Sequence, residues 1–261
     1  MKTLASLRSL TLAPVLVVVA ASFGAMGCMV TTTLEPADAS AAGDQASVDV
    51  FTQPLAEDGD WIDTPDHGRV WRPSIDVVGT DFVPYSTGGR WVATDAGWSF
   101  ESDYDFGWAT YHYGRWYSDA RLGWVWTPDV VWAPAWVEWR SGGGYVGWVP
   151  AAPAGVVVLD DRWTFVEERY LVSPNIRAYA LPYEGARRAY VVSQPSRALG
   201  GGGWRQGPSY AHVSAAAGVS IRPVHAASPA GGVVHAGVRP TGQGSARPVR
   251  RPSVPRGGHR R

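Results

Sequence analysis

Residues 108–126 read Trp108-Ala-Thr-Tyr-His-Tyr-Gly-Arg-Trp116-Tyr-Ser-Asp-Ala-Arg-Leu-Gly-Trp-Val-Trp126 and contain a phrase that the chain repeats. The phrase joins an aromatic turn to Gly-Arg-Trp, passes through a polar turn and ends in Gly-Trp or Val-Trp. A second copy reaches Gly-Arg-Trp at Trp91, and a looser copy ends at Trp139. The steps of 25 and 23 residues between Trp91, Trp116 and Trp139 are too short for a propeller blade but suit one long hairpin per repeat.

Turn residues and side-chain alternation support the hairpin interpretation. Trp61 and Trp71 flank the turn Thr-Pro-Asp-His-Gly, and Trp116 and Trp126 flank another turn at the same spacing. Trp124 and Trp126 fall on one face of a strand because alternate residues point the same way. We therefore predict an all-β fold of tandem antiparallel Trp-rich hairpin repeats that form a twisted sheet or a small barrel.

The composition changes along the chain and divides it into five segments. Beyond the repeats, Trp163-Thr-Phe-Val follows a linker-like turn, and residues 174–182 and 188–193 could extend the fold as strands or short helical turns. A short helix is expected to end at Gly218. The last segment is rich in Arg, Pro and Gly, lacks any period and is predicted to be disordered. The five segments are a lipoprotein-type signal peptide, a flexible tether, the Trp-rich repeat domain, a C-terminal extension of that domain and a basic tail, at 1–28, 29–58, 59–153, 154–225 and 226–261.

The N-terminus reads as an export leader. Two basic residues precede the apolar run from Leu10 to Phe23, which is short for a membrane span but fits a secretory leader. The run leads to Ala25-Met-Gly-Cys28, which resembles a bacterial lipobox, and Cys28 is the single cysteine of the chain. We therefore predict lipidation at Cys28 and a place in the cell envelope, at the outer rather than the inner membrane because residue 29 is not Asp. The alternative is a periplasmic or secreted soluble protein, with the leader cleaved near Ala39-Ser-Ala41.

The formal net charge of zero conceals an acidic body and a basic tail. All 23 acidic residues and nine of the 22 Arg lie between residues 35 and 184, which gives that part a charge of −14. The chain from residue 185 onward has twelve Arg and no acid. Its tail is predicted either to bind anionic polymers such as lipopolysaccharide phosphates or to contact the acidic body weakly. Export makes nucleic acid an unexpected partner, and the anion-binding candidates are Arg247, Arg250, Arg251, Arg256, Arg260 and Arg261.

The Trp phrases carry a resemblance to a known family. Gly123-Trp-Val-Trp126, Trp132-Ala-Pro-Ala-Trp136-Val-Glu-Trp-Arg140 and Gly144-Tyr-Val-Gly-Trp148-Val-Pro are similar to the bacterial exported Trp- and Pro-rich family catalogued as domain of unknown function 6600. The resemblance covers about residues 58–225 and is most specific in its first half. It implies an envelope location and no established activity, so it assigns no functional residue.

Residues with catalytic or metal-binding chemistry are few. The densest acidic cluster, Glu101-Ser-Asp-Tyr-Asp105, could in principle supply a glycosidase pair or bind Ca²⁺, but it lacks the Gly and distal Glu of an EF-hand loop. A solvated hairpin loop is the favoured interpretation. The six His show no close metal-ligand spacing, and His112 alternates with tyrosines as a packed residue would. We expect no metal site, no cofactor and no enzymatic activity.

The aromatic residues offer the most direct route to a function. Most of the Trp are expected to be core, because their period follows the hairpins themselves. A minority on an outer face could stack on the sugar rings of peptidoglycan or another glycan, and we select Tyr111, Tyr113 and Trp136 for this face. The sequence therefore predicts a cell-envelope lipoprotein with a non-enzymatic structural or binding role towards glycans or envelope proteins. The alternative is a peptidoglycan-active hydrolase that uses the loop carboxylates.

Overall fold

The structure is a computed structural model that describes residues 48–197 and 203–226. Ten strands form three antiparallel sheets, of order β1-β2-β6-β5, β10-β7-β8-β9 and β3-β4. The strands are β1 Gly59–Thr64, β2 Gly68–Pro73, β3 Gly89–Thr94, β4 Gly97–Ser102, β5 Arg115–Asp119, β6 Gly123–Thr127, β7 Val137–Gly142, β8 Tyr145–Pro150, β9 Thr164–Glu167 and β10 Gln194–Pro195.

The helical elements are short and lie before, between or after the hairpins. In the described ranges four are α-helical, and single 3-10 turns occur at Asp49–Phe51, Asp160–Arg162, Glu168–Tyr170 and Ile176–Tyr179. No helix within the two described ranges is long and apolar enough to cross a membrane. The α-helices are α1 Ile75–Val78, α2 Gly107–Thr110, α3 Tyr183–Val192 and α4 Tyr210–Ala217.

The predicted hairpins are confirmed, and each one pairs two aromatic residues directly across its strands. Trp61 faces Trp71 in β1–β2, and Trp116 faces Trp126 in β5–β6. Trp71 also pairs with Trp126, so the two hairpins join and a row of four Trp crosses the first sheet. The other two hairpins pair Trp139 with Trp148 and Trp91 with Phe100. The strands form separate open sheets and no closed barrel, so the barrel alternative does not hold.

The aromatic faces of these sheets contribute to one core. Most ring pairs within it are tilted or edge-to-face, as between Trp91 and Trp148 at 5.6 Å and between Trp71 and Trp116 at 6.2 Å. Trp also offers a polar atom that Leu and Ile lack, because its indole N–H can donate to a loop carbonyl inside the core. Eight indoles do so, with donor–acceptor distances of 2.7–3.2 Å, and they belong to Trp61, Trp71, Trp98, Trp116, Trp126, Trp136, Trp148 and Trp204.

Two backbone positions with positive φ hold the core together. Gly114, in the Gly-Arg-Trp phrase, has φ +62°, and a Cβ there would collide with the carbonyl of Thr127. Tyr85 is the one described residue other than glycine with positive φ, at +61°. Its hydroxyl donates to the Tyr111 carbonyl at 3.1 Å and accepts the backbone N–H of Trp136 at 3.2 Å. These bonds support a conformation that costs a non-glycine residue on the order of 1–3 kcal/mol.

The folded part begins earlier than the sequence indicated. Phe51 and Leu55 are fully buried, and the Leu55 carbonyl accepts the indole N–H of Trp71 at 3.0 Å. The tether predicted at 29–58 is therefore wrong for its last part, since two apolar side chains of that polar segment enter the core. The rest of the tether and the leader lie outside the described residues.

The C-terminal extension packs against the hairpins. Trp163 directly precedes β9, and the helix predicted to stop at Gly218 is α4, whose C-cap Gly218 has φ +67°. Tyr210 on α4 donates its hydroxyl to the Thr94 carbonyl at 2.7 Å, and Val224 pairs with Thr94 as an isolated bridge. The predicted disordered tail lies outside the described residues from residue 227 onward.

Candidate functional site: a groove between Trp124 and Trp163

The predicted aromatic binding face is wrong, because all three of its side chains are buried. Tyr111 and Tyr113 are fully enclosed, and Trp136 is 6% exposed. The strand alternation used to place them does not apply, since α2 and a turn occupy residues 107–114. The indole of Trp136 donates to the His112 carbonyl at 3.1 Å, and the guanidinium of Arg115 lies 3.4 Å from the centre of its ring.

The exposed aromatic surface lies elsewhere. Nine of the fourteen Trp are buried, and five are half-buried. Two of the five, Trp124 and Trp163, line the same groove, whose volume is about 240 Å³. Within the described residues, neither of their indole nitrogens has a hydrogen-bond acceptor, whereas two of the other three half-buried indoles, those of Trp61 and Trp204, donate to backbone carbonyls.

Three parts of the chain build this groove. Trp124 stands on β6, and Trp163 directly precedes β9 after the 3-10 turn Asp160–Arg162. Arg177 comes from the 3-10 turn Ile176–Tyr179, and Arg187 comes from α3. Both arginines are exposed. The groove therefore combines two flat apolar rings with charged hydrogen-bond donors and acceptors, which is the usual composition of a polar-ligand site.

The position of Trp163 is fixed by aromatic contacts beneath the groove. Its ring stacks on Phe165 at 5.9 Å and meets the edge of Tyr190 at 5.9 Å. Tyr190 is itself covered by Arg140, whose guanidinium carbon lies 4.0 Å from the ring centre. Arg140 also donates to the carbonyls of Tyr190 and Ser193 at 3.0 and 2.7 Å, so it ties the end of α3 to β7. The wall that carries Trp163 is thus a packed and hydrogen-bonded layer.

The charged groups of the groove differ in whether they have a partner. Asp161 forms an ion pair with Arg162 at 3.6 Å. Burial raises the pKa of Tyr190, and the nearby carboxylate of Asp160 raises it further. In the described ranges, Arg177 and Arg187 form no ion pair. The groove therefore presents two guanidinium groups that no carboxylate of the described structure neutralises.

Trp124 also borders two other depressions. One, of about 480 Å³, lies between the ends of the first hairpins and α1 and includes Arg72, Ile75 and Phe82. The other, of about 160 Å³, is apolar and includes Val157 and Leu159. Trp124 therefore stands where three surface depressions meet.

The remaining sites expected from the sequence have simple environments. Glu101 forms an ion pair with Arg90 across β3–β4, and Asp103 and Asp105 are exposed. His112 is buried with its Nδ1 3.1 Å from the Ala133 carbonyl. No group of three His, Cys, Asp or Glu side chains in the described part of the chain could hold a metal ion. Cys28 and the six tail arginines from Arg247 to Arg261 lie outside the described residues.

Sequence reasoning placed Trp124 in a strand but identified neither Trp124 nor Trp163 as a site residue. A signal was available for Trp124, because Gly-Trp-Val-Trp puts two Trp on one strand face while only Trp126 belongs to the four-Trp row. No comparable signal exists for Arg177 and Arg187, which meet Trp124 only through the packing of the C-terminal extension.

Comparison with known proteins supports the resemblance expected from the Trp phrases. Residues 52–155 match the model of a family described as "Family of unknown function (DUF6600)". The match spans all four hairpins and includes Trp124, but it ends before Trp163, Arg177 and Arg187. No curated protein matches the chain, and no solved structure matches it.

Proposed function

We propose that the protein is an exported cell-envelope lipoprotein whose folded part is a non-enzymatic glycan-binding module. The observation that carries the proposal is the groove in which Trp124 and Trp163 present half-exposed rings and unpaired indole N–H groups. The leader and the position of Cys28 support export and lipid anchoring. A glycan of the envelope is then the ligand within reach of an anchored domain.

The chemistry of the groove suits a sugar better than an apolar ligand. Indole faces pack against the C–H faces of sugar rings, while the N–H groups and arginines bond to hydroxyls. The volume of about 240 Å³ is below the roughly 300–1,000 Å³ of pockets that enclose small molecules. The groove therefore suits a segment of a polymer that lies across the surface.

Retention on purified peptidoglycan sacculi tests the proposal with full-length protein in detergent. Trp124→Ala and Trp163→Ala are each expected to weaken retention about tenfold, which corresponds to about 1.4 kcal/mol of lost stacking. Tyr179→Ala is the matched control, because Tyr179 is an exposed aromatic that does not line the groove. Near-ultraviolet circular dichroism of each variant verifies that the core is intact.

Three outcomes of this experiment would count against the proposal. Absence of retention of the wild-type protein would favour a protein partner or a purely structural role. An equal loss of retention in Tyr179→Ala would show that retention does not depend on the groove. Release of soluble sugar fragments from the sacculi, abolished by Asp103→Asn, would instead favour a hydrolase that uses the carboxylates of Glu101-Ser-Asp-Tyr-Asp105.

Lipid anchoring has its own test. Cys28→Ser is expected to move the protein from the membrane fraction to the soluble fraction of the producing cell and to abolish incorporation of labelled fatty acid. Labelling that persists in this variant would contradict the anchor, because Cys28 is the single cysteine of the chain.

A further inference from the structure

We infer that the groove selects anionic glycans, and that Arg177 and Arg187 hold a carboxylate or phosphate carried by a sugar stacked at Trp124 or Trp163. The inference rests on the proposed function, since it specifies the class of glycan that the same site binds. It assigns to the two arginines a specificity role that the Trp residues alone could not supply.

The lining of the groove has a net positive formal charge, whereas the body around it is acidic. Residues 35–184 carry a formal charge of −14, yet the groove is lined by three Arg and two Asp. Asp161 forms an ion pair with Arg162, so the remaining lining groups are Asp160, Arg177 and Arg187. The groove therefore keeps a formal charge of about +1, and neither Arg177 nor Arg187 forms an ion pair in the described structure.

Elsewhere in the described structure, several arginines have found partners. Arg72, Arg90, Arg169 and Arg205 each form an ion pair with an Asp or Glu at 2.5–3.0 Å. The acidic body contains enough carboxylates to form ion pairs with two further arginines. Arg177 and Arg187 instead stand in a groove lined by two half-buried indoles, where a ligand can reach them.

The geometry of arginine matches this ligand class. A guanidinium presents several N–H donors in a planar fork that binds carboxylate or phosphate through two parallel hydrogen bonds. A neutral sugar offers hydroxyls, which make weaker bonds and leave the charge uncompensated. An acidic substituent on a ring stacked against indole gains from both contacts, so the acidic sugar should bind more tightly than its neutral counterpart.

Calorimetry with two pairs of defined probes tests the inference on full-length protein in detergent at low salt. One pair is an oligogalacturonate and its methyl ester, and the other is a phosphorylated oligomannose and its dephosphorylated product. We expect the acidic member of at least one pair to bind at least tenfold more tightly than the neutral member. The pair that shows the preference identifies carboxylate or phosphate as the recognised group.

Arginine variants then locate the preference. Arg177→Ala combined with Arg187→Ala is expected to abolish it, because the affinity for the acidic probe should fall to about that for the neutral probe. Arg188→Ala is the matched control, since Arg188 is an exposed neighbour of Arg187 on α3 that does not line the groove. All of these variants keep the arginines of the tail.

The outcomes separate this inference from the proposal on which it rests. Equal affinity for acidic and neutral probes, with binding still lost in Trp163→Ala, would overturn the anionic preference and keep the glycan groove. A preference that survives in the double Arg variant would place anion binding in the tail and also overturn the inference. Failure of every probe and of the sacculi to bind would overturn both.

Discussion

Trp126 and Trp124 stand two residues apart on the same face of β6, but they differ in burial and in hydrogen bonding. Trp126 is fully buried, joins the row of four Trp and donates its indole N–H to the Tyr113 carbonyl at 2.7 Å. Trp124 is half-exposed, has no acceptor in the described structure and borders three depressions. The difference arises from what covers each end of the strand, since local sequence places both rings on the same side.

The sharpest test of this comparison is to truncate each ring. Trp126→Ala is expected to lower the free energy of unfolding by about 3–5 kcal/mol, because it leaves a cavity and an unpaired carbonyl in the core. Trp124→Ala should lower it by only about 1–2 kcal/mol. Urea unfolding measures both values, and Trp126→Phe gives a smaller loss if the alanine variant does not fold. Equal losses of unfolding free energy at the two positions would show that Trp124 contributes to the core as much as Trp126 does.

Acid should also destabilise the core through His112. Burial lowers the pKa of His112 to about 4, whereas an unfolded His titrates near 6.5. Between those values the unfolded chain binds a proton that the folded chain does not. The His112 contribution to the free energy of unfolding is therefore constant above about pH 6.5 and falls by roughly 3 kcal/mol as the pH drops to 4.

Urea titrations across this pH range test the His112 effect. His112→Gln has no ionisable ring, so it should flatten the pH dependence that His112 causes. His212→Gln is the control, because His212 is exposed and pairs with Glu168 outside this part of the core. A slope that persists in His112→Gln would assign the acid sensitivity to other groups.

A smaller effect is expected at the tyrosine that links the loops of the core. Tyr85→Phe keeps the ring but removes the hydroxyl between the Tyr111 carbonyl and the Trp136 amide. The expected loss is about 1–2 kcal/mol, since both groups stay buried without that partner. Thermal unfolding measures it, and binding to sacculi should not change. A change in binding without a change in stability would show that the core and the groove are not separate.

The smallest effect on stability is expected at an exposed ion pair on the surface. Arg72 and Asp60 form an exposed ion pair at 2.8 Å at the depression beside Trp124. Such pairs contribute less than about 1 kcal/mol, so Arg72→Gln should barely change the unfolding midpoint. A larger loss of stability, measured by urea unfolding at low and high salt, would show that this ion pair contributes substantially to the stability of the fold.

The sequence predicted the hairpins well because their signals are local. Turn residues and the equal spacing of Trp61–Trp71 and Trp116–Trp126 were sufficient for pairing and register. The assignment of Tyr111 and Tyr113 to a strand was wrong, because a single turn of helix at 107–110 removes the alternation. No short-range pattern marks such a turn within an aromatic run.

The groove could not be predicted from local sequence patterns, because its residues are far apart in the chain. Trp124 and Arg187 are more than sixty residues apart, and they share a groove only because the extension returns to the first sheet. Exposure of a Trp depends on which later segment covers it. Sequence periodicity fixes the face of a strand, but the covering layer is a property of the whole fold.

The four-Trp row also has an optical consequence. Rings at 6.2–6.3 Å, as between Trp71 and Trp116 and between Trp61 and Trp126, are close enough for their electronic transitions to couple. The row should then behave as one extended chromophore and give an exciton couplet in the far-ultraviolet circular dichroism of the folded protein. Emission from Trp124 and Trp163 would respond instead to quenchers and ligands, so a single sample would report on the core and the groove through separate spectra.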